Sequence, residues 1–416
     1  MSASAVQPQG QASAPRVARV LVVDDSAVMR SLLRSVIATD VRVDIAGTAS
    51  DGATALRILD SVAPDLVLLD VEMPVMDGLQ TLREIKSRRP RLPVIMCSAL
   101  TQRGGKVAID AMASGASECV CKPSGAPSRD AAIRALAQDL IPKILALTGA
   151  ALASQRRVAP AAPAPGGGLS SFFGGPPPAA SAIPASRSSH LFPATAPVLA
   201  PPPPPSSGKP PSVLLIGVST GGPAALEIVL PALPASFPIP VLVVQHMPEL
   251  FTRLLAERLN EHCALSVREA VHGEPVLPGN IYIAKGNWHM EIIGSSAGSA
   301  PPPSIKLTQE PPENHCRPAV DVLFRSAVRI YGSRILAVIL TGMGYDGLAG
   351  SRLIRQHHGV VLAQDEATSA VWGMPGAVTQ AGLVQRVLPI QAIAQEILRL
   401  SGRSQPEAQA LRESAV

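Results

Sequence analysis

Short apolar runs alternate with longer mixed stretches over two parts of the chain. In the first part Val20–Val23, Val41–Ala46, Leu66–Leu69, Val94–Cys97 and Glu118–Cys121 read as strands, and the stretches between them carry helical spacing. Runs that are apolar at nearly every position suit strands buried on both faces. Five such βα steps predict a flavodoxin-like, five-stranded parallel sheet over residues 17–148. The rhythm resumes with Val213–Gly217, Val241–Gln245 and Ile335–Thr341, each followed by a turn and a helix. That predicts a second, doubly wound α/β unit over 212–402, interrupted by a hairpin-like stretch near Pro278–Ile292 and a Gly/Ser/Pro loop near Ser295–Ser304.

Between the two parts, residues 149–211 are mainly Ala, Pro, Gly and Ser, with five consecutive prolines at 201–205. Such a tract cannot bury enough apolar surface to offset its ordering entropy, so it reads as a linker, and His190 within it is a poor catalytic candidate. Residues 1–16 are small and polar and 403–416 are charged; both ends are expected to be frayed. A length of 416 residues agrees with two domains plus extra chain.

Composition narrows the function classes. Aromatics make up only 3% of the chain, so the cores must be Leu, Val, Ile and Ala. The net charge of +5 is mild and the basic residues are scattered, which argues against a nucleic-acid partner. The dense stretch Lys86 to Arg91 closes a predicted helix, where cations suit the dipole. Five cysteines without zinc-site spacing predict reduced thiols in a cytoplasmic protein. No leader and no apolar run near a membrane span's length is apparent, so no membrane insertion is expected.

Chemistry gathers at the predicted strand ends. Asp24 and Asp25 follow the first strand, Asp70 follows the third, Ser98 ends the fourth and Lys122 the fifth. Ligands of open α/β sheets sit at that rim. Three carboxylates together need a cation, and oxygen donors in a small site favour Mg²⁺. Asp70 then reads as a phosphoryl acceptor, Asp24 and Asp25 as metal holders with it, and Ser98 and Lys122 as sensors of the added charge. Each aspartate alone could be a helix N-cap; five such placements together favour the site. Val-Val-Asp-Asp-Ser (22–26), Leu-Leu-Asp-Val-Glu-Met-Pro-Val-Met-Asp-Gly (68–78), Cys-Ser-Ala (97–99) and Cys-Lys-Pro (121–123) resemble the receiver domain of two-component response regulators. The resemblance implies a histidine kinase as phosphodonor. One departure is Cys119, which stands where receivers commonly place an aromatic switch residue.

The second part carries Gly217-Val-Ser219-Thr-Gly221 between a strand and a helix, a turn that exposes a serine hydroxyl. His246 follows the Val241–Gln245 strand and Asp346 lies just beyond the Ile335–Thr341 strand. One rim of one sheet thus offers a nucleophile, a base and an acid. The chain order Ser, His, Asp differs from the Ser, acid, His order of α/β-hydrolases. His262 and His272 flank a predicted helix end and a turn, and His357 and His358 are expected in the last helical turn before Gly359, where cations suit the dipole, while His289 and His315 remain second candidates near the site. A rival pattern, Gly342-x-Gly344-x-x-Gly347 with Asp365 beyond, fits a dinucleotide fingerprint but lies late in its unit.

Ile-Gly-Val-Ser-Thr-Gly-Gly-Pro (216–223), Val-Val-Gln-His-Met-Pro (243–248), Arg-Pro-Ala-Val-Asp-Val-Leu-Phe (317–324), Leu-Thr-Gly-Met-Gly-Tyr-Asp-Gly (340–347) and Gly-Met-Pro-Gly (373–376) resemble the catalytic domain of chemotaxis receptor methylesterases. That family's triad falls on Ser219, His246 and Asp346. The resemblance implies hydrolysis of glutamate γ-methyl esters on methyl-accepting chemoreceptors beside membrane-embedded receptor arrays, deamidation of receptor glutamines, and no cofactor at the esterase site. Backbone N–H groups near Thr220 and Met343 are the candidate oxyanion donors. The chain departs from the family at Ala-Lys-Gly (284–286), often Ala-Pro-Gly, and in its longer linker. The alternative is a receiver that drives a non-catalytic binding or scaffold module.

Overall fold

The computed structural model describes residues 17–99, 101–123, 125–149, 210–295 and 301–402. The expectations for 1–16, for the linker over 150–209 with His190, for 296–300 and for 403–416 lie outside the described residues.

The first unit runs β1 (Ala18–Val23), α1 (Ala27–Ile37), β2 (Val43–Ala49), α2 (Gly52–Val62), β3 (Leu66–Asp70), α3 (Gly78–Arg88), β4 (Val94–Ser98), α4 (Gln102–Ala113), β5 (Glu118–Cys121) and α5 (Arg129–Thr148). Its sheet is parallel with order β2-β1-β3-β4-β5, which makes β1 and β3 neighbours as the flavodoxin-like reading requires. The helices begin where short polar side chains can accept an N-terminal amide: Ser26, Asp51, Asp77, Thr101 and Ser128 each cap one. The central strand β3 is buried along its whole length, as a parallel strand covered on both faces should be.

The second unit runs β6 (Val213–Val218), α6 (Gly222–Val229), β7 (Val241–Gln245), α7 (Glu249–His262), β8 (Ser266–Glu269), β9 (Asn280–Ile283), β10 (His289–Ile293), β11 (Ser304–Thr308), α8 (Val320–Tyr331), β12 (Ile335–Ile339), α9 (Leu348–Gln356), β13 (Val360–Gln364), α10 (Met374–Gln380), β14 (Arg386–Leu388) and α11 (Ile390–Leu400). Seven parallel strands take the order β14-β13-β12-β6-β7-β9-β8. Strand order reverses at β6, so the crevice beyond β12, β6 and β7 is the topological switch point where such sheets bind ligands.

Three expectations need correction. The second strand lies at Val43–Ala49, later than Val41–Ala46, because the residues before it form a turn around the Asp40–Arg42 ion pair. The stretch 278–292 is not a hairpin: β9 joins the main sheet in parallel between β7 and β8, whereas β10 pairs antiparallel with β11 in a separate two-stranded sheet. Alternation alone does not tell which partner a strand finds. His357 is the C-cap of α9 and His358 takes the left-handed conformation just beyond, so both lie past the last turn.

The two units meet along α4, α6 and α7, and one apolar core runs through both. Gly105 of α4 lies under Leu254 and Leu250 of α7; a Cβ there would come 2.7 Å from Leu254 Cδ1. Arg258 on α7 ties the seam, with Nη1 2.6 Å from Asp110 of α4 and Nε 2.7 Å from Glu227 of α6.

Inside the second unit Gly217 lets β6 approach α8: an added Cβ would meet Val320 Cγ1 at 2.6 Å and Ile339 Cδ1 at 3.1 Å. Gly217→Ala is therefore expected to destabilise this unit by about 1–3 kcal/mol through overpacking. A lowered unfolding midpoint by circular dichroism checks this; an unchanged midpoint contradicts the packing described.

Candidate functional site

The rim of the first sheet collects the predicted acid pocket. Asp24 and Asp70 are buried, Asp25 is exposed, and one carboxylate oxygen from each lies within 4.8 Å of the others. The Ser26 amide donates to Asp24 Oδ1 at 2.9 Å. Lys122 Nζ spans the pocket, 2.8 Å from Asp24 Oδ2 and 2.7 Å from Asp70 Oδ1. Burial raises the Asp70 carboxyl, and the Lys122 bond works against that. Burial pulls Lys122 down, but its bonds to Asp24 and Asp70 outweigh it and raise the ammonium. Ser98 is buried at the same rim, and its hydroxyl donates to the Ala99 carbonyl at 3.1 Å. Gly78 is required beside Asp70, since a Cβ would stand 2.1 Å from the Asp70 carbonyl oxygen. Three oxygen donors at this spacing fit a hard divalent cation.

The second sheet brings Ser219, His246 and Asp346 to one rim. Backbone bonds knit the strand ends: the Ser219 amide donates to Thr341 O, and the His246 amide to Val218 O. Gln245 Nε2 donates to the carbonyls of both Ser219 and His246, at 3.0 and 3.1 Å. Gly222 leaves room for that amide, because a Cβ would stand 1.9 Å from Gln245 Oε1. Gly221 takes a positive φ of 77° to turn the chain into α6.

Asp346 is held from several sides. Its Oδ2 lies 2.8 Å from His246 Nε2 and accepts the Val320 amide at 2.6 Å. Its Oδ1 accepts the amides of Asp321 and Gly347 and the side chain of Asn314, at 3.1, 3.0 and 2.9 Å. Val320 and Asp321 open α8, so the carboxylate sits at a helix N-terminus, where negative charge is favoured. His289 supports that end: buried, it accepts the Ala319 amide on Nδ1 and donates from Nε2 to Pro311 O. Its role is structural. Burial opposes charge on both partners of the central pair. It would raise Asp346, but the bond and charge of His246 hold that carboxyl low. It would lower His246, but Asp346 raises the imidazole above its ordinary value. The protonated ring is therefore favoured at rest, and the neutral base becomes available as pH rises.

A cavity of about 780 Å³ opens over these groups. Ser219, His246 and Asp346 line one side; Cys119, Gln138 and Lys143 of the first unit line the other. Thr220 and Met343 border it as well. The Gly221 amide, two residues past Ser219, donates across the seam to Ser117 O at 3.2 Å. At the position expected for an aromatic switch, the Cys119 carbonyl accepts from Lys143 Nζ at 3.2 Å. All five cysteines are free, and burial pushes the thiols of Cys97 and Cys263 up to about 12 and of Cys121 to about 11. Lys285, the departure in Ala-Lys-Gly, pairs with Glu249 at 2.8 Å.

The dinucleotide pattern does not gather a nucleotide site. Gly347 spends its amide on Asp346, and Asp365 accepts the Thr368 amide and hydroxyl in its own turn. Sequence reading missed Asn314, Cys316, Asp321 and Gln245. Asp321 lay inside the quoted 317–324 motif, but only the fold shows its carboxylate beside Asp346. Burial and then the Asp346 charge raise Asp321 to about 6.

Two family models and several known proteins match this chain. The family model for the CheB methylesterase matches residues 214–397, and that for the response regulator receiver domain matches residues 20–134. A protein-glutamate methylesterase/protein-glutamine glutaminase of a Nocardioides species is 44% identical over 388 residues, 93% of this chain and 96% of the relative. A protein of the same name from Azospirillum brasilense is 40% identical over 407 residues, 97% of each chain. The solved catalytic domain of the Thermotoga maritima CheB methylesterase is 41% identical, covers 46% of this chain and 98% of that one, and has a TM-score of 0.44.

Removing the carboxylate charge tests the electrostatics of the pair. Asp346→Asn is expected to lower the His246 midpoint, followed by NMR titration of the ring. A midpoint that stays where it is in the unsubstituted protein contradicts the arrangement.

Proposed function

The chain belongs to the family of protein-glutamate methylesterases/protein-glutamine glutaminases that carry a receiver domain, and on that premise we propose that it is a phosphorylation-activated serine esterase of chemoreceptors. The observation that carries the reading is His246 between Asp346 and the cavity that Ser219 lines.

The substrate is a glutamate γ-methyl ester on a receptor helix. Ser219 Oγ attacks the ester carbonyl while His246 Nδ1 takes the hydroxyl proton. Asp346 holds the Nε2–H tautomer and stabilises the imidazolium. Backbone amides near Thr220 and Met343 are the proposed donors to the oxyanion. As the tetrahedral adduct collapses, His246 returns the proton to the departing methoxy oxygen and methanol leaves. Water then attacks the acyl-serine while His246 takes its proton, and as the adduct collapses His246 passes that proton to the departing Ser219 Oγ, which frees the glutamate carboxylate and restores both residues. The same steps on a glutamine side chain release ammonia.

Control lies in the receiver. Asp70 accepts a phosphoryl group from a histidine kinase, and Mg²⁺ held by Asp24, Asp25 and Asp70 would neutralise charge on that group. Ser98 and Lys122 would turn toward the new oxygens. Ser98 lies against the start of α4, where a Cβ at Gly104 would come 2.8 Å from its Oγ. A shift of Ser98 thus bears on the helix that carries Asp110 and Gly105 at the seam. Loosening the seam would open the cavity to a bulky helical substrate. The Gly221–Ser117 bond and the Arg258–Asp110 pair support this reading of the receiver as a cover. No helix of the described residues is long and apolar enough to cross a membrane, which suits an enzyme that works on the cytoplasmic portion of receptors.

Two outcomes are expected when methanol release from a methylated receptor fragment is measured. Ser219→Ala loses about a thousandfold or more; a rate near that of the unsubstituted enzyme would sink the nucleophile. Arg258→Ala raises the basal rate of the unphosphorylated protein about fivefold, as loss of about 1 kcal/mol from a half-exposed contact should. No rise would show that this pair does not hold the cover.

A further inference from the structure

A four-residue turn ahead of α8 touches both members of the His246–Asp346 pair. Glu313 and Cys316 close it with reciprocal backbone bonds, Glu313 N to Cys316 O at 3.1 Å and Cys316 N to Glu313 O at 2.8 Å. Its central residues, Asn314 and His315, have φ of 51° and 63°. Positive φ at both centres is the geometry of a tight hairpin turn, and Asn and His, the residues that stand there, adopt it more readily than most side chains. The surroundings also constrain the turn. Arg325 on α8 supplies part of that constraint, with Nη1 and Nη2 each 2.6 Å from a Glu313 carboxylate oxygen.

The conformation directs two side chains inward. Asn314 Nδ2 donates both its hydrogens, one to Asp346 Oδ1 at 2.9 Å and one to Asp321 Oδ2 at 3.0 Å. One neutral amide thus bridges two neighbouring buried carboxylates. The other oxygen of Asp321 accepts the Gly350 amide at 2.6 Å, so the bridge is anchored at its far side. Cys316 Sγ lies 3.5 Å from His246 Nδ1, a sulfur hydrogen-bond distance, on the ring nitrogen opposite Asp346. The ring is thereby fixed at both nitrogens, by Asp346 and by Cys316.

We propose that the Glu313–Cys316 turn is a positioning element of the reaction, in which Asn314 sets the Asp346 carboxylate and Cys316 steadies the imidazole through the nitrogen that must receive the Ser219 proton. Neither residue is a catalytic residue; each acts through a member of the pair. The same helix that stabilises the Asp346 charge at its N-terminus also anchors the turn through Arg325, so acid and base are aligned by one rigid element. The inference rests on Ser219, His246 and Asp346 working as a triad.

The test is the pH dependence of methanol release by the full-length protein, saturated with acetyl phosphate and Mg²⁺, from a methylated receptor fragment. Asn314→Ala is expected to lower kcat about tenfold with KM unchanged, as loss of one hydrogen bond to a charged group would. Its acid limb moves to higher pH, because Asp346 without that donor favours the imidazolium more strongly. Cys316→Ala lowers kcat about fivefold, and Cys316→Ser, whose hydroxyl oxygen can accept from the protonated Nδ1 as the sulfur does, restores it. The inference is overturned if Asn314→Ala keeps both kcat and the acid limb, or if Cys316→Ser loses as much as Cys316→Ala. It is equally overturned if the rate falls only in proportion to folded protein while the limb stays put. Should Ser219→Ala keep its rate, the triad itself fails, an outcome distinct from these.

Discussion

The organisation of the second unit turns on one buried negative charge. Asp346 has almost no solvent, and an ionised carboxylate in such a place is costly unless donors surround it. The fold supplies them from three directions: the N-terminus of α8, the Gly347 amide of its own turn and the amide of Asn314. Only with that charge held does His246 have a reason to orient Nε2 inward and leave Nδ1 toward the cavity. The glycines around the site follow from the same demand. Gly217 lets α8 come close to β6, and Gly347, with φ of 91°, lets its amide turn back on the carboxylate.

The receiver is joined to this site by packing as well as by the chain. The apolar core continues from the first unit into α6 and α7, and α7 begins at Glu249, three residues past His246. The acid pocket at Asp70 and the seam share α4, which starts beside Ser98 and carries Asp110 near its end. Two chemically separate sites are therefore connected by one helix. In the state described, Lys122 bridges Asp24 and Asp70 and the Ser98 hydroxyl donates to the Ala99 carbonyl. These are the contacts an added phosphoryl group would compete for.

Much of this was legible in the sequence because buried parallel strands write themselves as apolar runs, and residues just past such runs share a rim. That reasoning reached Asp24, Asp70 and Lys122, and it reached Ser219, His246 and Asp346. It failed where partnership depends on the third dimension. β9 and β10 have similar alternation but join different sheets. Asn314 and Cys316 lie in a polar loop with no periodicity, and nothing in their spacing tells that a turn with two left-handed residues aims them at the pair. Ser98 was placed at the correct rim, yet its hydroxyl bond is set by the local backbone. The seam was illegible for a related reason: Gly105 and Arg258 look like ordinary helix residues until α4 and α7 are packed together.

The most direct measurement is methanol release by the full-length protein with and without acetyl phosphate and Mg²⁺, made in parallel on Asp70→Asn. If phosphorylation of the receiver uncovers the Ser219 site, the phosphodonor raises the rate of the unsubstituted protein and leaves Asp70→Asn at its basal value. A rate that does not respond to the phosphodonor, or that responds equally in Asp70→Asn, would contradict the coupling of the two sites.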